Sequence, residues 1–201
     1  MSPTITRLGR WAVLPAAVGL GLGLSAFGAT TAEAATYYCD GHRATIVGTS
    51  GDDEINGTSG RDVIVGLGGD DEIDGKGGND IICGDSGDDE IEGGSGKDRL
   101  FGGSGHDEID GESGDDYIHG GSGHDELEGG SGSDRINGST GNDHIEGESG
   151  NDALFGKSGH DLIEGGPGSD RLYGGSGTDT VKQRYATERE EDRWEDRFGR
   201  D

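Results

Sequence analysis

The sequence predicts an all-β fold, a solenoid of short parallel strands in which two nine-residue units make one turn. Three observations predict it. Fifteen units run without insertion from Gly48 to Lys182, beginning with "GTSGDDEIN" and ending with "GGSGTDTVK". Every unit has Gly at positions one and four, Asp at position six, and Ile, Leu or Val at position eight. Positions seven and nine vary with a period of two units, which indicates two units in each turn.

Each fixed position has a physical reason. Gly at positions one and four permits backbone angles that a Cβ would exclude, as a tight loop requires. Asp at position six places a short carboxylate beside that turn, which is a suitable ligand for a hard cation. The aliphatic residue at position eight points inward from a strand of about three residues. One such residue buries too little surface for a unit to fold alone, so the units must stack as parallel strands about 4.8 Å apart.

The variable positions of successive units alternate in character. In odd-numbered units, positions seven and nine are mostly acidic, as in Glu54 and Glu72, and in even-numbered units they are aromatic, aliphatic or basic, as in Val63 and Phe101. The odd units contain 23 acidic residues and the even units 10. A solenoid with one unit per turn gives no reason for this alternation. We therefore expect an odd sheet with an acidic outer face and an even sheet with a mixed outer face.

The composition shows that hydrophobic burial alone is too small to stabilise such a fold. Gly accounts for 45 of 201 residues, hydrophobic residues for 27%, and the formal net charge is -26. A chain of this kind either stays disordered or binds something positively charged that offsets the repulsion. The regular repeat favours bound cations. The negative charge argues against nucleic acid as a partner.

Residues 1–34 have the pattern of a secretory signal peptide. Arg7 and Arg10 precede a long apolar run, and "AEA" at residues 32–34 has the form of a cleavage site. The alternative is a membrane anchor, since the apolar run approaches spanning length. The chain has no Arg-Arg pair of the twin-arginine type. We expect Sec-type export of a secreted, extracellular protein without a membrane span in its mature chain.

The unit G-G-x-G-x-D-x-U-x, in which U is aliphatic, resembles the RTX (hemolysin-type calcium-binding) nonapeptide repeat, and the resemblance covers residues 48–182. It implies a parallel β-roll with Ca²⁺ between stacked loops, held by the position-six Asp of both loops and by loop carbonyls. The sequence departs from the family pattern in three ways. Position two is often not Gly, as in Thr49, Lys76, Asp85 and Glu112. RTX exporters often use an uncleaved C-terminal signal, and the toxins, proteases and lipases carry a separate active domain that is not visible here.

The resemblance implies two rows of calcium ligands, one on each edge of the roll. The odd edge would carry Asp53, Asp71, Asp89, Asp107, Asp125, Asp143, Asp161 and Asp179. The even edge would carry Asp62, Asp80, Asp98, Asp116, Asp134, Asp152 and Asp170. Eight loops enclose seven gaps and seven loops enclose six, so up to thirteen Ca²⁺ ions are expected. The repeats contain 33 acidic and eight basic residues, a net charge of -25 that thirteen Ca²⁺ ions would offset.

Residues 35–47 are predicted to form an N-terminal cap. The stretch "CDGHRATIV" reads as a degenerate even unit with Ile46 inward and Ala44 in place of the Asp. An even number of cysteines in an exported protein favours a disulfide, and Cys83 points outward from the same sheet. We expect a Cys39–Cys83 bond that staples the cap over the first turns. The alternatives are two free thiols or an intermolecular bridge.

The tail, residues 183–201, is dense in charge. It is predicted to be either a C-terminal capping helix with Trp194 and Phe198 on one face or a solvated segment.

The expected function is a secreted calcium-binding protein with a non-catalytic structural or adhesive role. The sequence has no H-E-x-x-H, no G-x-S-x-G and no Cys–His constellation. One alternative is a module that binds a protein partner or a cell-wall glycan through the even outer face, unless strand positions simply favour aromatics. Another is an accessory part of an RTX toxin or enzyme system. The candidate partner-face residues are Arg99, Phe101, Tyr117, Arg135, Phe155, Arg171 and Tyr173.

Overall fold

The computed structural model describes residues 36–183. The predicted signal peptide and the predicted C-terminal helix lie outside these residues. Within the described range the protein is an all-β solenoid of about eight turns, built from two parallel eight-stranded sheets and containing no helix.

The even sheet is formed by the strands of the even units and of the cap. Its strands are β3 (Ile46–Val47), β5 (Val63–Gly68), β8 (Ile81–Ser86), β11 (Arg99–Ser104), β13 (Tyr117–Ser122), β16 (Arg135–Thr140), β19 (Ala153–Ser158) and β21 (Arg171–Ser176).

The odd sheet is formed by the strands of the odd units. Its strands are β4 (Glu54–Asn56), β6 (Glu72–Asp74), β9 (Glu90–Glu92), β12 (Glu108–Asp110), β14 (Glu126–Glu128), β17 (His144–Glu146), β20 (Leu162–Glu164) and β22 (Thr180–Lys182). Further two-residue strands pair within the loops of the even edge and in an N-terminal hairpin. They are β7 (Gly77–Gly78), β10 (Ser95–Gly96), β15 (Ser131–Gly132), β18 (Ser149–Gly150), β1 (Tyr38–Cys39) and β2 (His42–Arg43).

The strand register confirms two units per turn. Each strand pairs in parallel with the strand 18 residues along, so that Leu100 lies opposite Ile118 and Ile109 opposite Leu127. The predicted strand length of three residues holds for the odd sheet and is too short for the even sheet. Strands β5 to β21 of the even sheet are six residues long, because pairing continues through positions one to three of the following odd unit.

The position-eight residues form one continuous core between the sheets. The column from Ile55 to Ile163 is buried, and Ile46 and Leu172 pack against its two ends. At the last turn Val181 is 45% exposed. Burying one aliphatic side chain of this core contributes about 1.5–3 kcal/mol. The core is therefore a line of single residues, and each turn depends on its neighbours.

The N-terminal hairpin covers the first turns of the even sheet. Cys39, at the end of β1, is disulfide-bonded to Cys83, with a Cα–Cα distance of 5.8 Å. This confirms the predicted bond. Cys39 is buried in a second apolar cluster with Val63, Val65 and Ile81 on the outer face of the even sheet. Strand β3 of the cap adds to that sheet beside β5.

Candidate calcium-binding loops

From the third unit onward, the loops on each edge stack so closely that position four admits only Gly. At Gly96 the backbone φ is +148°, and an added Cβ would overlap the carbonyl oxygen of Gly78 in the preceding loop of that edge. The same overlap recurs at Gly114 with the carbonyl oxygen of Gly96. The invariant Gly thus permits both the left-handed angle and the close approach of neighbouring loops.

Position two is also left-handed, yet it tolerates side chains. All thirteen units from Gly66 onward have a positive φ at position two, including the non-Gly residues Lys76 (69°), Asp85 (76°) and Glu112 (61°). These departures from the family pattern therefore leave the loop geometry unchanged. Thr49 and Thr58, in the first two units, do not adopt this angle.

The position-six aspartates form a hydrogen-bonded ladder along each edge. The backbone N–H of each Asp donates to Oδ1 of the Asp 18 residues along, as from Asp62 to Asp80 at 2.7 Å and from Asp98 to Asp116 at 2.8 Å. This bond spans all thirteen gaps between neighbouring position-six aspartates within residues 36–183. One oxygen of each acceptor carboxylate is thereby committed to holding two loops in register.

The second carboxylate oxygen, Oδ2, is left without a partner in most of these aspartates. Within the described residues, the buried and unpartnered Oδ2 atoms are those of Asp71, Asp80, Asp89, Asp98, Asp107, Asp116, Asp125, Asp134, Asp143, Asp152 and Asp161. None of these side chains is more than 3% exposed. A buried oxygen without a partner costs free energy, and for a carboxylate the natural remedy is a cation.

Backbone carbonyls lie close to these oxygens. An added Cβ on Gly84, at position one, would crowd Oδ2 of Asp89 and lie 2.9 Å from the carbonyl oxygen of Gly102. No group of three or more His, Cys, Asp or Glu side chains converges within residues 36–183. Each gap therefore brings two carboxylates at most, and carbonyls must supply the remaining ligands. An all-oxygen set of this kind fits Ca²⁺.

Burial raises the pKa of the ladder carboxyl groups. The pKa is raised to about 7 in Asp107 and Asp116, and to about 6 in Asp98, Asp134 and Asp143. Desolvation is the main cause, and neighbouring Asp charges raise the pKa further, while the inter-loop hydrogen bond lowers it. Near neutral pH the buried carboxylates of the ladder repel one another, so the ladder favours binding of protons or of a cation.

Comparison with known protein families agrees with this geometry. The model of the RTX calcium-binding nonapeptide repeat matches residues 47–82, 56–91, 78–109, 92–127, 128–163 and 146–181, which together span most of the chain. The chain belongs to the RTX calcium-binding repeat family. Members of this family are typically secreted. No curated protein matches the chain. The repeats imply calcium binding, for which the aspartate ladder provides the oxygens.

Two further ladders in the RTX loops were missed by the sequence analysis. Position-three hydroxyls donate to position-two carbonyls of the preceding loop, as from Ser86 to Leu67 at 3.1 Å and from Thr140 to Gly121 at 3.2 Å. The preference for Ser or Thr at position three was the available signal. The second ladder uses position five, where the residue type varies between units.

Position five of the odd edge carries side chains that accept inter-loop hydrogen bonds. Nδ1 of His106 accepts the backbone N–H of His124 at 2.8 Å, and Nδ1 of His160 accepts that of Thr178 at 2.9 Å. Asp70 and Asn142 serve as acceptors in the same way. His, Asp and Asn share a side-chain atom that can accept a hydrogen bond. The histidines at position five thus make a structural contact between loops.

The predicted partner face is divided by the N-terminal hairpin. Near the hairpin, Arg99 forms an ion pair with Asp40, and Phe101 packs beside the cluster around Cys39. Beyond it, the guanidinium of Arg135 lies 4.7 Å from the ring centroid of Phe155.

Further along the same face, the rings of Phe155 and Tyr173 stack at 5.0 Å, and Tyr173 is 51% exposed. Position seven of the neighbouring even strands carries Tyr117, Arg135 and Arg171. Among residues 36–183, no helix is both long and apolar enough to cross a bilayer.

Proposed function

We propose that this protein is a secreted calcium-binding protein whose position-six aspartates line the sites for a ladder of Ca²⁺ ions, and that these ions drive folding of the β-roll. The eleven buried Oδ2 atoms carry the proposal. They converge with loop carbonyls on the space between stacked loops, and they have no other means of compensation within the described chain.

Repulsion between stacked acidic groups explains why calcium should drive folding rather than bind to a roll that is already folded. Stacking places like charges opposite each other on the odd face as well as in the loops, since Glu108 lies between Glu90 and Glu126 in register. The ligand set requires two stacked loops, so the unfolded chain lacks it. The free energy of calcium binding therefore contributes directly to the free energy of folding.

The role that fits these features is structural or adhesive, without catalysis. The chain's described residues are occupied by one repeated unit and its cap, and the buried carboxylates serve the stacking of loops. Export through a Sec-type signal in residues 1–34 would deliver the chain to an oxidising medium, which suits the Cys39–Cys83 bond. Millimolar calcium outside the cell would then complete the fold after export.

Far-ultraviolet circular dichroism of residues 35–201 tests the proposal. We expect a disordered spectrum in chelator that converts to β on addition of Ca²⁺ but not of Mg²⁺, because Mg²⁺ demands a smaller octahedral site. A β spectrum that is already complete in chelator at pH 8, and insensitive to calcium, would contradict it.

A second candidate function is binding of a partner or glycan through the uncovered part of the even face. The exposed stack of Phe155 and Tyr173, flanked by Arg135 and Arg171, favours it. Replacing Phe155 and Tyr173 by Ser should abolish binding to cell-wall preparations or self-association while leaving the calcium-induced spectrum intact. Unchanged binding and oligomeric state would assign the ring stack to strand stability alone.

A further inference from the structure

The first loop on each edge differs from all the loops that follow it. We propose that Thr49 and Thr58 close these two loops without metal, so that the calcium ladder begins one turn further along. This inference rests on the proposed calcium function, and it assigns which gaps of the ladder take ions.

Threonine satisfies Oδ2 in both of these loops by hydrogen bonds. In the first odd loop, Oδ2 of Asp53 accepts the backbone N–H of Thr49 at 2.6 Å and lies 2.9 Å from its hydroxyl. In the first even loop, both contacts from Thr58 to Oδ2 of Asp62 are 2.8 Å. Asp62 is also buried, at 7% exposed, yet its Oδ2 is satisfied. Two hydrogen bonds thus offset the charge that the later loops leave uncompensated.

The cause is the β-branched side chain at position two. A left-handed φ is a genuine outlier for a β-branched residue, and the later units have no Thr, Val or Ile at this position. Because Thr49 and Thr58 avoid that angle, their N–H groups turn toward the carboxylate. Position four also differs in these two loops, since Gly51 and Gly60 lack the positive φ that position four has in every following loop except that of Gly168.

The far end of the even edge has a comparable closure. Nε2 of Gln183 donates to Oδ2 of Asp170 at 2.7 Å. Of the thirteen gaps between neighbouring position-six aspartates, three are bordered by an occupied Oδ2: 53–71, 62–80 and 152–170. Ten gaps keep a free Oδ2 on both sides. The expected ladder is therefore ten ions rather than thirteen.

The position of the Thr loops agrees with how the N-terminal turns are stabilised. The disulfide, the cluster around Val63 and Val65, and the ion pair between Asp40 and Arg99 all act on these turns. They supply stability that does not depend on metal. The threonine loops thus form a calcium-independent end on which the metal-dependent turns can stack.

Native mass spectrometry of the calcium-loaded, disulfide-intact chain (residues 35–201) counts the ions. We expect ten in the wild type, and up to twelve in Thr49→Gly/Thr58→Gly, because Gly restores the left-handed angle and frees both Oδ2 atoms. The matched control is Thr49→Val/Thr58→Val, which keeps the β-branch and should stay at ten. In an interior loop, Ser139→Thr should lower the count by two, to eight, since Asp143 borders two gaps, while Ser139→Ala should leave it unchanged.

The outcomes separate this inference from the proposed function. No bound calcium in any variant would overturn the proposed function itself. Thirteen ions in the wild type, or equal counts in the wild type and the Gly double variant, would overturn the role of threonine while leaving calcium binding intact. If the Gly double variant fails to fold, the Ser139 pair decides, and equal counts in Ser139→Thr and Ser139→Ala overturn the inference.

Discussion

The backbone N–H of Asp98 donates to Oδ1 of Asp116 at 2.8 Å, and Oδ2 of the same Asp116 is buried with no hydrogen-bond partner among the described residues. One carboxylate thus has two separate tasks. Oδ1 sets the register between loops, and Oδ2 is available to a cation. The division explains why position six is always Asp, since an amide would keep the first task and lose the second.

Replacing Asp116 by Asn should separate these two tasks. The amide oxygen can still accept the N–H of Asp98, but the charge facing the gap is gone. In saturating calcium we expect the free energy of unfolding to fall by about 3–5 kcal/mol, the usual cost of breaking a buried charge pair. In chelator both proteins should give the same disordered spectrum, so the loss should be confined to the calcium-bound state. Urea titration in saturating calcium, followed by circular dichroism, measures the loss, and an unchanged free energy of unfolding would contradict the division.

Acid should stabilise the calcium-free roll. The pKa values of Asp107 and Asp116 are raised to about 7, above the value near 3.9 in an unfolded chain, so the folded state binds more protons between these limits. Stability in chelator should therefore increase as the pH falls from about 7 toward 4, and decrease as the pH rises through 7. In saturating calcium the trend should reverse, because protons compete with Ca²⁺ for the same oxygens.

Circular dichroism in chelator and thermal melts in saturating calcium, both between pH 5 and pH 8, test this reversal. A β signal in chelator that does not rise on acidification would show that the carboxyl groups of the ladder are not protonated in the folded state. High ionic strength serves as the control, since it screens the exposed acidic face more than the buried ladder.

Gly114→Ala should be strongly destabilising. The position has a φ of +150°, and the added Cβ would overlap the carbonyl oxygen of Gly96, so both strain and displacement of a neighbouring loop are expected. We expect a loss of more than about 2 kcal/mol in saturating calcium. The control is Glu112→Ala in the same loop, where a side chain already adopts a left-handed φ. A loss within about 1 kcal/mol is expected there, and similar losses at the two sites would argue against loop stacking as the constraint.

Removing the disulfide should weaken one end of the roll. Cys39→Ser/Cys83→Ser opens a link with a sequence separation of 44, for which the loss is about 4 kcal/mol. Hydrogen exchange in calcium should show faster exchange in β3, β5 and β8, with β19 and β21 unchanged. Uniformly faster exchange would mean that the turns unfold as one unit rather than from the N-terminal end.

Much of the fold could be predicted because a strict period constrains it. The alternation of Glu72 with Ile81 at position seven predicted two units per turn, and the strand register confirms it. The Cys39–Cys83 bond followed from the parity of the cap and is present. The length of the even strands was predicted wrongly, because pairing beyond position nine depends on the loop of the next unit.

The residue types of the candidate site could be predicted from the sequence, but its hydrogen bonds could not. The residue types at positions four, six and eight determined the solenoid, its core and the chemistry of its edges, since each is required in every turn for the same physical reason. Only the tertiary structure decided that Oδ1 is occupied and Oδ2 free, that His106 accepts an inter-loop hydrogen bond, and that Thr58 satisfies Asp62. These contacts depend on which backbone N–H a neighbouring loop presents, and that direction is set by the φ angles of stacked loops rather than by the identity of any one residue.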